Sequence, residues 1–299
     1  MVAPLDGRLH IYASSKNLTC FESGSPVATN HLIFYGGLGT GLASMPVLSR
    51  LSAVLPPDWS LVQALTRSSY QGFLTTTSTE TLEDMEDLEA YFRGLERETG
   101  RLVLMGASKG CNDVINFFNV HGAHTTADSA ILMSLNCGLE ALLQHFTVEE
   151  LEKSLAIASS QIESGHGTYP FPPEVIEKHK ILQVCKGIHA NVWHTVMCSG
   201  GPAENLRSTA NDEELIKTFE GIRSTGKNLH LLIAGNDEAI PDKVDKEELL
   251  RRFLNAARGG ALIASGKVVE GAYHNMQQEN AQAVIVESVL DFLKQSSKA

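Results

Sequence analysis

The chain has 299 residues, 43% of them hydrophobic and 20% charged, so it can bury a large core as one α/β domain. A formal net charge of −11 works against binding to nucleic acid or an anionic membrane surface. With no apolar run of about 18 residues and no basic-then-apolar start, the sequence is expected to be soluble and cytoplasmic, and its five cysteines, lacking C-x-x-C spacing, argue for reduced thiols over a structural metal.

Strand-like runs at 9–13 and 18–22 come first, followed by a third at 31–35. The third leads into Gly36-Gly37-Leu38-Gly39-Thr40-Gly41. A dinucleotide fingerprint counted from Gly37 and Gly39 would need glycine at 42, which is Leu42, and no G-K-[ST] follows. The loop instead suits a second oxyanion donor, with the N–H groups of Gly37 and Leu38 as candidates. A helical pattern at 45–55 and a strand at 60–64 follow. Over 82–99, Leu82, Met85, Leu88 and Phe92 recur at helical spacing with acids on the other face, the pattern of an amphipathic cover helix.

The run at 102–105 ends in Gly106-Ala107-Ser108-Lys109-Gly110, with a helical pattern over 112–119. Strand, G-x-S-x-G and helix in that order define a nucleophile elbow, which lifts a serine hydroxyl above the sheet edge. Ser108 is therefore the candidate nucleophile, and the N–H of Lys109 is the first oxyanion donor. An elbow requires an acid and then a histidine later in the chain. After the strand at 229–234 come Asp237 and Glu238, with Asp242 further out. Asp237 is first past the strand and is the preferred orienting acid; Glu238 is its rival. The last strand region, 261–270, leads to His274 and then an amphipathic helix at 281–294, so His274 is the candidate base. No metal or organic cofactor is required by this chemistry.

The strands alternate with helices, and a sixth lies at 130–134. This order predicts an α/β-hydrolase fold: a mostly parallel eight-stranded sheet, helices on both faces, and the active residues at its C-terminal edge. About ninety residues separate the sixth strand from that of the acid, far more than a crossover needs. Residues 138–227 are read as a helical cap inserted into a core of 1–137 and 228–299. Helical stretches are expected near 139–160, 174–186 and 212–223, with a Pro-rich turn at 168–173. His166, His179, His189 and His194, with Tyr169 and Trp193, are candidates for pocket lining, since their spacings match no common zinc pattern.

Several motifs resemble those of the α/β-hydrolase family that contains the fungal intracellular siderophore esterases. They are Gly36-Gly37-Leu38-x-x-Gly41-Leu42, Ser68-Ser69-Tyr70-x-Gly72-Phe73, the elbow with Cys111-Asn112-Asp113-Val114, and Asp237-Glu238-x-x-Pro241. The resemblance implies that Ser108, Asp237 and His274 form the triad and that the substrate is a fusarinine-type hydroxamate siderophore with ester links. The chain departs from the family pattern at Ala107 and Lys109, where a histidine and a small polar residue are common. It departs again at Leu135-Asn136-Cys137-Gly138, which lacks a polar and charged cluster. A small-molecule ester is the expected partner, and the sequence is silent on oligomeric state. The same triad also serves thioesterases, amidases and acyltransferases, and the fold can bind small molecules without catalysis.

Overall fold

Eight strands form one sheet: β1 (Gly7–Ala13), β2 (Leu18–Gly24), β3 (Asn30–Tyr35), β4 (Trp59–Ala64), β5 (Leu102–Ala107), β6 (Ser129–Met133), β7 (Asn228–Ala234) and β8 (Ala264–Val269). Their spatial order is β1-β2-β4-β3-β5-β6-β7-β8. β2 runs antiparallel to both neighbours, and every pairing from β4 through β8 is parallel. The computed structural model describes residues 5–95, 98–135, 137–172, 187–198, 201, 205–261 and 263–297.

A parallel neighbour can be reached only by a crossover, and helices supply these crossovers on both faces. β4, β5, β6 and β7 are buried along their whole length, which is why they read as continuous apolar runs rather than as alternation. On one face, Val47, Leu48 and Leu51 of the helix Pro46–Val54 pack with Ile285, Val289 and Phe292 of the C-terminal helix Glu279–Ser296. The helices Ser78–Arg93, Lys109–His121 and Lys246–Ala257 cover the other face through residues such as Met85, Phe92, Phe118 and Phe253. Each such fully buried side chain contributes about 1.5–3 kcal/mol relative to exposure.

The cover helix expected over 82–99 occupies Ser78–Arg93. Its apolar spacing located the buried face, but capping groups set its ends. Thr77 and Glu80 form a capping box at the start, and the helix stops at Gly94. Arg93 then turns back to donate to the carbonyls of Thr99 and Gly100.

Between β6 and β7 the described residues include the helices Gly138–Leu142, Val148–Glu163, Ala190–Met197, Asp212–Thr218 and Glu220–Ser224. The first part of this segment has its own apolar cluster, in which Phe146, Ala158, Phe171, Ile188, Val192 and Trp193 meet Phe73 and Leu74. The last part behaves differently: Leu215, Phe219 and Ile222 join the main cluster beside the sheet. The helical stretch expected at 174–186 lies outside the described residues.

Candidate active site

Ser108 lies between β5 and the helix Lys109–His121 at φ 54° and ψ −120°, a strained backbone for a residue with a Cβ. Two main-chain bonds hold it there: its N–H donates to Met133 O at 3.1 Å, and its carbonyl accepts from Cys111 N–H at 2.9 Å. A Cβ on Gly106 would collide with the Gly110 carbonyl, so glycine permits strand and helix to touch at the turn. The Cys111 thiol below is fully buried against Gly106 O and Met133 O, and burial pushes its pKa up. It is an inert neighbour rather than a second nucleophile.

His274 sits in the loop after β8, with Nε2 2.9 Å from Ser108 Oγ. Its Nδ1 lies 2.9 Å from both carboxylate oxygens of Asp237, a buried side chain in the turn after β7. A carboxylate only accepts, so Nδ1 carries the proton and Nε2 is left to accept from the serine hydroxyl. Burial of His274 opposes its charging. The hydrogen bond and charge of Asp237, with Glu238 behind it, outweigh that cost and raise the imidazole pKa above its ordinary value.

Glu238 has a different task from Asp237. Its Oε2 accepts from the main-chain N–H of His274 at 3.0 Å, while the Ser134 hydroxyl donates to the His274 carbonyl at 2.7 Å. The histidine backbone is therefore gripped on both sides. Asp242 is exposed on the next turn. Ser134 went unnoticed in the sequence. Its signal is its place directly after β6, at the same C-terminal edge that holds the other site residues.

The glycine-rich loop after β3 abuts the serine: a Cβ on Gly37 would fall 2.8 Å from Ser108 Cβ. Tyr70 braces this loop, donating its N–H to Thr40 O at 2.9 Å and accepting the Leu42 N–H on its hydroxyl at 3.0 Å. Arg67, just upstream, is tied through its N–H and Nε to the buried Asp84 carboxylate at 2.8 and 2.9 Å. The cover helix thus anchors the bracing segment. Lys109 opens its helix, so its N–H has no intrahelical acceptor. Its ammonium pairs with both carboxylate oxygens of Asp113, at 2.9 and 2.7 Å.

The glycine-rich loop, the start of the helix at Lys109 and the loops that carry Glu238 and His274 border a cleft of about 450 Å³. Leu38, Met45, Phe73, Leu74 and Val196 make much of its wall apolar, and Gly37, Ser108, Lys109 and His274 lie on it. Ala107 and Gly138, at the two departures from the family pattern, also line it; Leu135 and Cys137 are buried, and Asn136 lies outside the described residues. Of the pocket-lining candidates in 138–227, Trp193 is buried in the separate cluster and Tyr169 is 57% exposed. Neither borders the cleft, nor do His166, His189 or His194, and His179 lies outside the described residues. His145 and Val196 line it instead.

A mostly parallel eight-stranded sheet with antiparallel β2 and a serine on a strand-to-helix turn defines an α/β-hydrolase. The profile of a family described as "protein of unknown function (DUF1749)" matches residues 1–294, and the chain belongs to that family. It is similar to the siderophore hydrolase EstB from Aspergillus fumigatus, with a TM-score of 0.76, 25% identity and 99% of each chain covered. The fusarinine C esterase sidJ of Aspergillus fumigatus is 27% identical over 346 residues, 99% of this chain and 97% of that protein. An esterase from Emericella nidulans is 23% identical, covering 92% of this chain and 88% of its own length.

Proposed function

We propose that the protein is a serine esterase whose substrate is a fusarinine-type hydroxamate siderophore. The observation that carries the esterase reading is the continuous hydrogen-bonded chain from Ser108 Oγ through His274 to Asp237. In this reading Ser108 Oγ attacks the ester carbonyl as its proton passes to His274 Nε2, and a C–O bond forms. The N–H groups of Lys109 and Leu38, with that of Gly37 beside them, stabilise the oxyanion. Collapse of the intermediate breaks the bond to the alcohol, which leaves with the proton from His274. Water, deprotonated by the same imidazole, then frees the acid and restores the serine. Asp237 keeps the imidazole in the required tautomer.

The siderophore part of the reading draws on the similarity to fusarinine C esterase and to the siderophore hydrolase, each over nearly the whole chain. The part of residues 138–227 that carries Ala141, His145 and Val196 acts in it as a cap, bringing its side of the cleft over the site. A reducing, intracellular compartment suits the free thiols of Cys20, Cys111, Cys137 and Cys198. Purified protein is expected to hydrolyse short p-nitrophenyl esters and fusarinine C. Both activities should fall on the order of 10⁴-fold or more in Ser108→Ala. Turnover of the simple esters without the siderophore would remove the substrate assignment alone, and unchanged turnover in Ser108→Ala would remove the mechanism.

A further inference from the structure

The motif Ser68-Ser69-Tyr70-x-Gly72-Phe73 has no part in the triad, yet it sets a strained residue against the glycine-rich loop. Tyr70 has φ 53°, a left-handed conformation that a residue with a Cβ adopts at a cost and that persists where its surroundings demand it. Packing of the core does not demand it, since Tyr70 is 47% exposed. The loop does. Tyr70 N–H donates to Thr40 O at 2.9 Å, and its hydroxyl accepts the Leu42 N–H at 3.0 Å. Its ring fills the space that a Cβ on Gly41 would need. One residue thus holds three successive residues of the loop.

The hold reaches the reacting centre through a single turn. Thr40 N–H and Oγ1 both donate to Gly37 O, at 3.3 and 2.9 Å. Gly37 O and Leu38 N–H belong to one peptide unit, and in a planar trans peptide they point in opposite directions. Fixing the carbonyl toward Thr40 therefore aims the Leu38 N–H the other way, in a loop whose Gly37 lies against Ser108. Given the esterase reading above, on which this step rests, we infer that Tyr70 is a positioning residue for oxyanion stabilisation. It does not line the cleft. It holds Thr40, and Thr40 holds the peptide whose N–H meets the developing charge. A preorganised donor is effective because it does not reorient as charge forms, so loosening its support raises the barrier without weakening ground-state binding.

The test measures kcat, KM and inhibitor affinity in wild type, Tyr70→Phe and Tyr70→Ala, with p-nitrophenyl hexanoate as substrate and 1,1,1-trifluoroheptan-2-one as probe. Ser108 Oγ adds to the ketone carbon, the serine proton passes to His274, and the carbonyl oxygen becomes an oxyanion that needs the same donors as hydrolysis. Tyr70→Phe keeps the ring on Gly41 and loses the acceptor for Leu42 N–H, so kcat should fall about five- to tenfold, the worth of one neutral hydrogen bond. Tyr70→Ala loses ring and hydroxyl, and kcat should fall on the order of 10²-fold, the effect of removing one oxyanion donor. In both variants KM should stay nearly constant, the trifluoroketone Ki should rise by the factor by which kcat/KM falls, and the acid limb that reports His274 should stay in place. Unchanged kcat in both variants, a loss confined to KM, or a fall in kcat with Ki unaltered overturns the positioning role and leaves the esterase reading standing. No hydrolysis of the ester by folded wild-type protein overturns both.

Discussion

The two sides of the cleft are built by different physics. On the sheet side, Ser108, Asp237 and His274 rise from loops directly after β5, β7 and β8, and named hydrogen bonds fix each one, including the two that grip the His274 main chain. On the other side, the first part of 138–227 coheres through its own apolar cluster around Trp193. Its Nε1 donates to Ser154 Oγ at 2.9 Å, and its ring packs against Phe146 and Phe171. Directional bonds fix atoms to tenths of an ångström, whereas apolar packing fixes shape and volume. The sheet side is accordingly suited to invariant chemistry and the other side to setting what fits.

That division can be broken experimentally, beginning where the effect is largest. Asp237→Asn leaves the volume intact but lets Nδ1 accept, which favours the wrong tautomer, and kcat should fall on the order of 10³- to 10⁴-fold with KM little changed. Steady-state kinetics on a p-nitrophenyl ester reads this directly, and a loss confined to KM would contradict the tautomer role.

Trp193→Ala probes the other side. Loss of a fully buried tryptophan costs about 3–5 kcal/mol, and here the cost falls on the cluster beside the cleft. Because Val196 on the same helix borders the cleft, kcat/KM for a long or branched ester should drop about tenfold or more, with a smaller loss for an acetate ester. Equal losses for both esters would mean that the two sides are not separable.

Glu238→Gln gives the finest test. The amide can still accept the His274 N–H, so kcat at neutral pH should change less than about tenfold. What changes is charge. The groups around His274 are Asp237 and Glu238 from the loop after β7, and Lys109, Asp113 and His145 along the cleft. The Glu238 carboxylate helps to raise the imidazole pKa, and activity needs neutral imidazole, so activity is lost as pH falls through that value. Removing the charge lowers the pKa, and the acid limb of the kcat/KM profile should move to lower pH. A limb that stays in place would assign Glu238 a purely structural role.

The same division explains which features could be read from the chain. The placing of Ser108, Asp237 and His274 at one edge was legible because each comes within a few residues of the end of a strand-like run, and strand ends mark the sheet edge. Asp237 is preferred to Glu238 in the sequence only for its order after β7, since one residue of backbone rotation decides which carboxylate reaches Nδ1. Ser134 and Tyr70 act through partners 140 and 28 residues away, a separation that no local pattern encodes. The helical stretch expected near 212–223 forms the helices Asp212–Thr218 and Glu220–Ser224, and the face they bury belongs to the main core rather than to a separate cap. Periodicity shows that a face is covered without showing by what.

The convergence of three distant side chains on one proton path is tested most directly by covalent labelling. Intact-mass and peptide analysis after treatment with a fluorophosphonate should show a single adduct on Ser108 in wild type, and no adduct in Ser108→Ala or on the same time scale in His274→Ala. An unlabelled wild-type protein, or an adduct on another residue, would contradict the assignment of Ser108 as an activated nucleophile.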